Sequence, residues 1–185
     1  MAQISNIGAG IYSEIAISNN AVSYLSSAVA TARSANTLAA WNTLVATQDD
    51  SGGTDAVLST VPNVRSFPSV GTPANIVNVP QFGQAQSSQI QGQSDAPTLE
   101  FAVNYTAVDH ATLNAMSGDN ILRVFRLRLA NGELPATVTA TTVHSDFYWV
   151  GTVASFLITP NLVDSNQATF TATINGDFEG PLTTV

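Results

Sequence analysis

The sequence predicts a mainly β fold: a twisted antiparallel sandwich or half-barrel with a short flanking α-helix and possible extra helices near the N-terminus. Three observations carry this expectation. Leu99, Phe101, Val103 and Tyr105 alternate with Glu100, Ala102, Asn104 and Thr106, the period of a half-buried strand. Ala168, Phe170, Ala172 and Ile174 alternate in the same way with Thr169, Thr171, Thr173 and Asn175. Asn131-Gly132 separates two apolar runs and suits a hairpin turn, which needs positive φ at both central residues.

At 185 residues the chain has the length of a single domain, 1–185, long enough to bury a substantial core. Its first 48 residues are rich in Ala and Ser. There, Val22, Leu25, Val29 and Ala32 recur at helical spacing, and Asn36 is placed to cap a second short helix carrying Leu38, Trp41 and Val45. Asp49-Asp50-Ser51-Gly52-Gly53-Thr54-Asp55 reads as a hydrated turn. Pro62, Pro68, Pro73 and Pro80 then divide short apolar pieces, of which residues 75–79 make the best strand. Residues 81–97 form a long Gln-rich loop; residues 81–94 hold six of the nine Gln and no charge.

The remainder carries the strand signals. After the strand at 99–106, Asp109 is expected to cap a short helix with Leu113 and Met116 on one face, and Gly118 to stop it. Residues 121–130 form a strand with three arginines, Asn131-Gly132 turns, and residues 137–143 return as a Thr-rich strand. Residues 147–158 are the most apolar strand, and Ala168 to Asn175 closes the fold.

Composition narrows function. Charged residues make up only 10%, so Thr, Ser, Asn and Gln, 63 residues together, must supply the polar surface. There are five Arg, no Lys and thirteen acids, a net charge of −8. That balance opposes gripping nucleic acid or an anionic membrane, both of which need cations. With no Cys, disulfides and thiolate metal sites are excluded. No basic N-terminal region precedes an apolar run, and no run reaches the length of a membrane helix.

Motifs for catalysis are lacking, and no enzyme activity, cofactor or metal is expected. No Gly-x-Ser-x-Gly occurs, and Gly8-Ala9-Gly10 is followed by Ser13 where a dinucleotide motif needs its third Gly. His110 and His144 are 34 residues apart and read as structural. The 49–55 acids lack EF-hand spacing. Asp109, Asp119, Glu133 and Asp146 read as turn formers and caps rather than an acid/base pair. Asn104-Tyr105-Thr106 matches a glycosylation acceptor but lies within a strand. Arg123, Arg126 and Arg128 are expected to form salt bridges with acids on a neighbouring strand or, between copies, a neighbouring subunit. By alternation Arg123 lies on the face of Phe125, and Arg126 and Arg128 on the other.

From Arg65 onward, Phe67-Pro68-Ser69-Val70-Gly71, then Gln91 to Glu100 with Val103-Asn104-Tyr105, then the 109–116 helix follow in order. Phe125-Arg126-Leu127-Arg128-Leu129 with Asn131-Gly132, the aromatic strand around Gly151, and Thr169 to Gly176 complete the series. This order resembles the tail tube protein (major tail protein) of long, flexible-tailed bacteriophages, over about two thirds of the chain. The resemblance implies a virion protein, assembled in the host cytoplasm, that forms stacked and generally hexameric rings. The sheets of neighbours would join around a negatively charged channel through which DNA leaves. It also implies a tape measure protein, a tail terminator and a tail-tip initiator as partners, with DNA as cargo and no membrane. Glu100, Asn104, Thr169, Thr171 and Thr173, on the polar faces of alternating strands, are expected to face the channel. Two other readings are a tube of a bacterial injection or secretion machine and a carbohydrate-binding sandwich using Tyr148 and Trp149 for stacking.

Overall fold

The computed structural model describes residues 13–47, 58–71, 76–83, 85–92, 98–130 and 144–183. In chain order the elements are β1 (Glu14–Ser18), α1 (Val22–Ala35), α2 (Leu38–Thr47), β2 (Leu58–Thr60), β3 (Val64–Ser66), β4 (Ile76–Val79) and β5 (Ser88–Gln91). They continue with β6 (Leu99–Asn104), α3 (Ala111–Met116), β7 (Arg123–Ala130), β8 (His144–Gly151), β9 (Val153–Thr159), β10 (Gln167–Ala172) and β11 (Phe178–Thr183). The fold is mainly β, as the sequence predicts, and every paired strand is antiparallel to its neighbour.

The architecture has three layers. A five-stranded sheet runs in the order β11-β8-β7-β1-β2, and a four-stranded sheet in the order β3-β6-β10-β9. Their facing sides enclose Ile15, Ile17, Phe101, Phe125, Leu127, Trp149, Phe156 and Phe170, with Leu113 and Met116 of α3 in the same core. The third layer is the helical pair. Val29, Ala32, Leu38, Trp41 and Leu44 of α1 and α2 pack on Ala16, Val124, Tyr148 and Val150, on the outer side of the five-stranded sheet. Sheet strands with two buried faces lose the simple alternation of a half-buried strand, which is why residues 123–130 and 144–151 carry apolar side chains on both faces.

Several local expectations are corrected. Asn36 does not cap the second helix. It adopts φ 45° and ends α1, its N–H bonding to the Ala32 carbonyl, and the Thr37 hydroxyl instead accepts from the Ala40 N–H at 3.3 Å. Asp109 does not cap α3, whose N-cap is His110. The Asp109 carboxylate binds the Thr106 hydroxyl at 2.6 Å, one turn before the helix. Gly118 takes φ 75° directly after α3, as the stop signal requires, and donates to the Val153 carbonyl. The Gln-rich stretch is not all loop: β5 pairs with β4, Val77 opposite Ile90, as a separate two-stranded sheet. The strands β1 and β11 were not anticipated. Asn131-Gly132, residues 137–143 and the acidic turn at 49–55 lie outside the described residues.

The apolar run 147–158 is two strands rather than one. β8 belongs to the five-stranded sheet and β9 to the four-stranded sheet, so the chain changes sheets at Thr152. Gly151 makes this corner possible. A Cβ there would lie 1.8 Å from the Thr173 carbonyl oxygen and 2.9 Å from its carbon. That neighbour is backbone and is held by the Thr173 N–H to Thr152 carbonyl bond. Gly151→Ala is expected to cost about 3 kcal/mol, from overpacking against main chain. Urea unfolding of the variant beside the parent checks this.

Candidate functional site: the open face of the four-stranded sheet

The alternation of β6 and β10 places their apolar residues inward and their polar residues on the outer face. Register then fixes which outer side chains are neighbours. Across β6, β10 and β9 the outer rows are Glu100, Thr171 and Ser155; Ala102, Thr169 and Leu157; and Asn104, Gln167 and Thr159. Strands lie ~4.8 Å apart in this direction, so the rows form a closely spaced array. The Ser155 hydroxyl donates to the Thr171 hydroxyl at 3.0 Å, one link of hydroxyls across it. Glu100 and Asn104 are exposed, while Thr169 and Thr171 are half-buried by their neighbours.

Of the five residues expected on one face, the structure brings together Glu100, Asn104, Thr169 and Thr171. Thr173 stands apart, past the end of β10. Its hydroxyl accepts from the Thr152 N–H at 3.0 Å and shares a hydrogen bond with the Thr152 hydroxyl at 2.9 Å. The rows contain one carboxylate, Glu100, and no cation. The outer side of the five-stranded sheet is different, because α1 and α2 cover it.

The arginines occur where alternation put them, and each has a carboxylate partner within the chain, on a neighbouring strand or turn. Arg123 is held on Asp119 by Nη1 at 3.0 Å and Nη2 at 2.6 Å. Arg126 donates to Glu14, and Arg128 grips Asp146 through Nε at 2.7 Å and Nη2 at 2.6 Å. Glu14 was missed because β1 is short and follows a segment with no strand signal. Asp119 was open to discovery, four residues before Arg123.

The Arg128–Asp146 pair lies beneath the helices, with side-chain exposures of 5% and 0%. Burial pulls the Arg128 pKa down, but Asp146 and then Glu14 outweigh it, and the net shift is upward. His144 begins β8, and its Nε2 lies 3.6 Å from Asp146 Oδ2. Tyr148, whose ring stacks on Trp41 at 4.6 Å, is raised by burial and by Asp146. With both Asp146 oxygens engaged by one guanidinium, this cluster is built to hold strands β7 and β8 together. Tyr148 and Trp149 are both buried, on opposite faces of β8, Trp149 stacked on Phe125 at 5.2 Å. They cannot form an exposed platform for a sugar ring.

Two concavities lie among the described residues. One between Ile17, Val61, His110 and Met116 holds about 50 Å³, and a shallow one between Ala28, Thr31, Ala40 and Leu44 of the helical pair about 250 Å³, both below the ~300–1,000 Å³ of a ligand site. His110 within the first is buried, its Nε2 3.2 Å from the Pro62 carbonyl. The open outer face is therefore the best candidate for a functional surface. No protein-family model and no curated protein matches the chain.

Two stability outcomes follow from these contacts. Asp146→Ala strands the buried Arg128 and is expected to cost about 3–5 kcal/mol, whereas Tyr148→Phe removes a buried hydroxyl that makes no hydrogen bond of good geometry among the described residues and is expected to leave stability unchanged or raise it by ~1 kcal/mol. Chemical denaturation of both variants checks the contrast. The second outcome concerns pH. The hydrogen-bonded Arg123 guanidinium holds the Asp119 carboxyl below its ordinary 3.8, against the opposing effect of burial and with help from the Ile121 N–H. A depressed folded value means that the pair stabilises fully above the unfolded pKa and loses its contribution as pH falls through the folded one. Asp119→Asn is expected to destabilise the protein at pH 7 and to narrow its difference from the parent below pH ~3, read from melting curves across pH 2–7.

Proposed function

We propose that this chain is a structural subunit that assembles with copies of itself into stacked rings, generally of six, forming a tail tube through which DNA passes. The observation that carries the reading is the four-stranded sheet. Its outer face is uncovered and nearly uncharged, and its two edges remain open among the described residues. An open edge presents unpaired N–H and C=O groups and calls for a partner.

The polarity of those edges suits a closed ring. β3 and β10 run opposite to β6, and β9 runs opposite to β10, so the edges β3 and β9 run in opposite directions. Copies related by rotation can therefore join β3 to β9 antiparallel, and repetition closes a barrel. The helix-covered face then lies outside, and the Thr, Ser, Asn and Glu100 face lies inside. Such a lining suits DNA passage. Duplex DNA carries one negative charge per ~1.7 Å and is retained by Lys and Arg; this face offers neither. The overall charge of −8 adds repulsion.

The β4–β5 hairpin fits contact between rings. It leaves Ile76, Val77 and Ile90 exposed, with Phe82 fully so at its turn, and a lone hairpin is marginal in water unless something covers it. On this reading the tape measure protein fills the channel before DNA, and a terminator and tip complex bound the tube. The protein is then part of the virion.

Negative-stain electron microscopy with light scattering on the purified protein tests the proposal. Rings or tubes with a central hole are expected at high concentration or with a tip complex; a monomer under both conditions overturns it. Glu100→Lys with Asn104→Lys and Thr169→Lys is expected to leave assembly intact and slow DNA ejection. Unchanged ejection would remove these residues from the channel. Amide exchange across residues 76–92 is expected to slow at least tenfold on assembly.

A further inference from the structure

The two edges of the four-stranded sheet differ in kind. β9 offers seven residues, Val153–Thr159, with no proline and no charge, and leaves Leu157 and Ile158 exposed at 65% and 43%. An edge of this sort accepts almost any strand presented to it. β3 is guarded. It has three residues, and it is bulged, because Val64 and Ser66 oppose the consecutive residues Val103 and Ala102. The extra residue is the exposed Arg65.

Arg65 is the one arginine without a carboxylate partner among the described residues; Arg33, Arg123, Arg126 and Arg128 are all in ion pairs. The opposite edge supplies, in the turn just past its end, a carboxylate with no cation partner among the described residues. Val64 is level with Val103, Val103 with Ala168, and Ala168 with Ile158 near the end of β9. The turn that follows β9 carries Asp164, exposed, accepting from the Ser165 N–H at 2.8 Å. That turn is held in shape. Asn161 Oδ1 accepts from the Val163 and Asp164 N–H groups, Asn166 Oδ1 from the Asn161 N–H, and the Ser165 hydroxyl donates to Asn104 Oδ1.

We propose that Arg65 of one copy pairs with Asp164 of the next, so that β3 is the edge that β9 accepts. This rests on the self-assembly reading and names the contact that gives it direction. A charged edge residue resists strand pairing unless the incoming edge brings the opposite charge. A β3–β3 contact would oppose two Arg65 side chains. A β9–β9 contact would leave both Arg65 unmatched and would close as a two-fold dimer. The β3–β9 contact satisfies both charges and is head-to-tail, the type that continues into a ring.

The test is a charge exchange in the full chain, with assembly followed by sedimentation and electron microscopy. Arg65→Asp and Asp164→Arg are each expected to raise the concentration for half-assembly by about tenfold, and the double exchange to return it to within about threefold of the parent. Both residues are exposed, so unchanged melting curves will show that each variant folds. An Arg65→Asp variant that assembles like the parent, or a double exchange that fails to recover, overturns the pairing while leaving the self-assembly reading intact. A parent chain that never assembles overturns that reading and the pairing with it.

Discussion

Strands β7 and β8 occupy the middle of the five-stranded sheet, and both of their faces are buried. Every polar group they carry must be satisfied inside the chain or cost free energy. On the sandwich side there is little difficulty, because Phe125 and Trp149 stack and Leu127 packs beside them. On the helix side, two arginines and an aspartate share the face with Tyr148 and Val150. The bidentate Arg128–Asp146 bond, reinforced by Glu14 from β1, makes that face tolerable. It also fixes register, since Arg128 and Asp146 are directly opposed. A shift of β8 by one residue would turn Asp146 toward the Phe125–Trp149 core and leave Arg128 without its partner. With β7 and β8 registered, β1 and β11 have defined edges to join, and α1 with Trp41 of α2 has a defined surface to cover.

The fold class was legible because the four-stranded sheet is wet on its outer side. Alternation survives in β6 and β10, and it named the inward and outward residues correctly except at Thr173, where the strand had already ended. The five-stranded sheet was harder to read. Burial on both sides erases the two-residue period, so residues 147–158 looked like one strand when they are two. The signal for the break was Gly151, whose role depends on the Thr173 carbonyl twenty-two positions away. Sequence spacing cannot show such a long-range contact. The α1–α2 pair was legible from helical spacing, although its caps were assigned one residue off. Asn36 and Thr37 are both good capping residues, and only the backbone conformation separates them.

The arginine triplet shows the same limit. Alternation sorted Arg123 from Arg126 and Arg128, but partners are set by strand order. Asp146 opposes Arg128 because β8 returns beside β7; Glu14 reaches Arg126 because β1, more than a hundred residues earlier, lies on the other side. The chain thus uses four of its five arginines internally. Among the described residues, the charges left unpaired are acidic apart from Arg65.

That distribution bears on how copies could meet. Like-charged molecules approach through surfaces that lack charge or match it. The described surfaces that lack charge are β9 and the β4–β5 hairpin, and they sit on different parts of the chain. Contacts between unlike surfaces propagate, whereas contacts between like surfaces close at two copies. A low proportion of charged residues would be a solubility liability in a free monomer, but within an assembly it leaves few charged groups to be desolvated where copies meet. The same economy of cations leaves the outer sheet face without a site to hold a polyanion. The proposed assembly and the proposed passage of DNA therefore share one physical origin: cations committed to ion pairs within the chain, and a nearly neutral hydroxyl-rich sheet face that no described element covers.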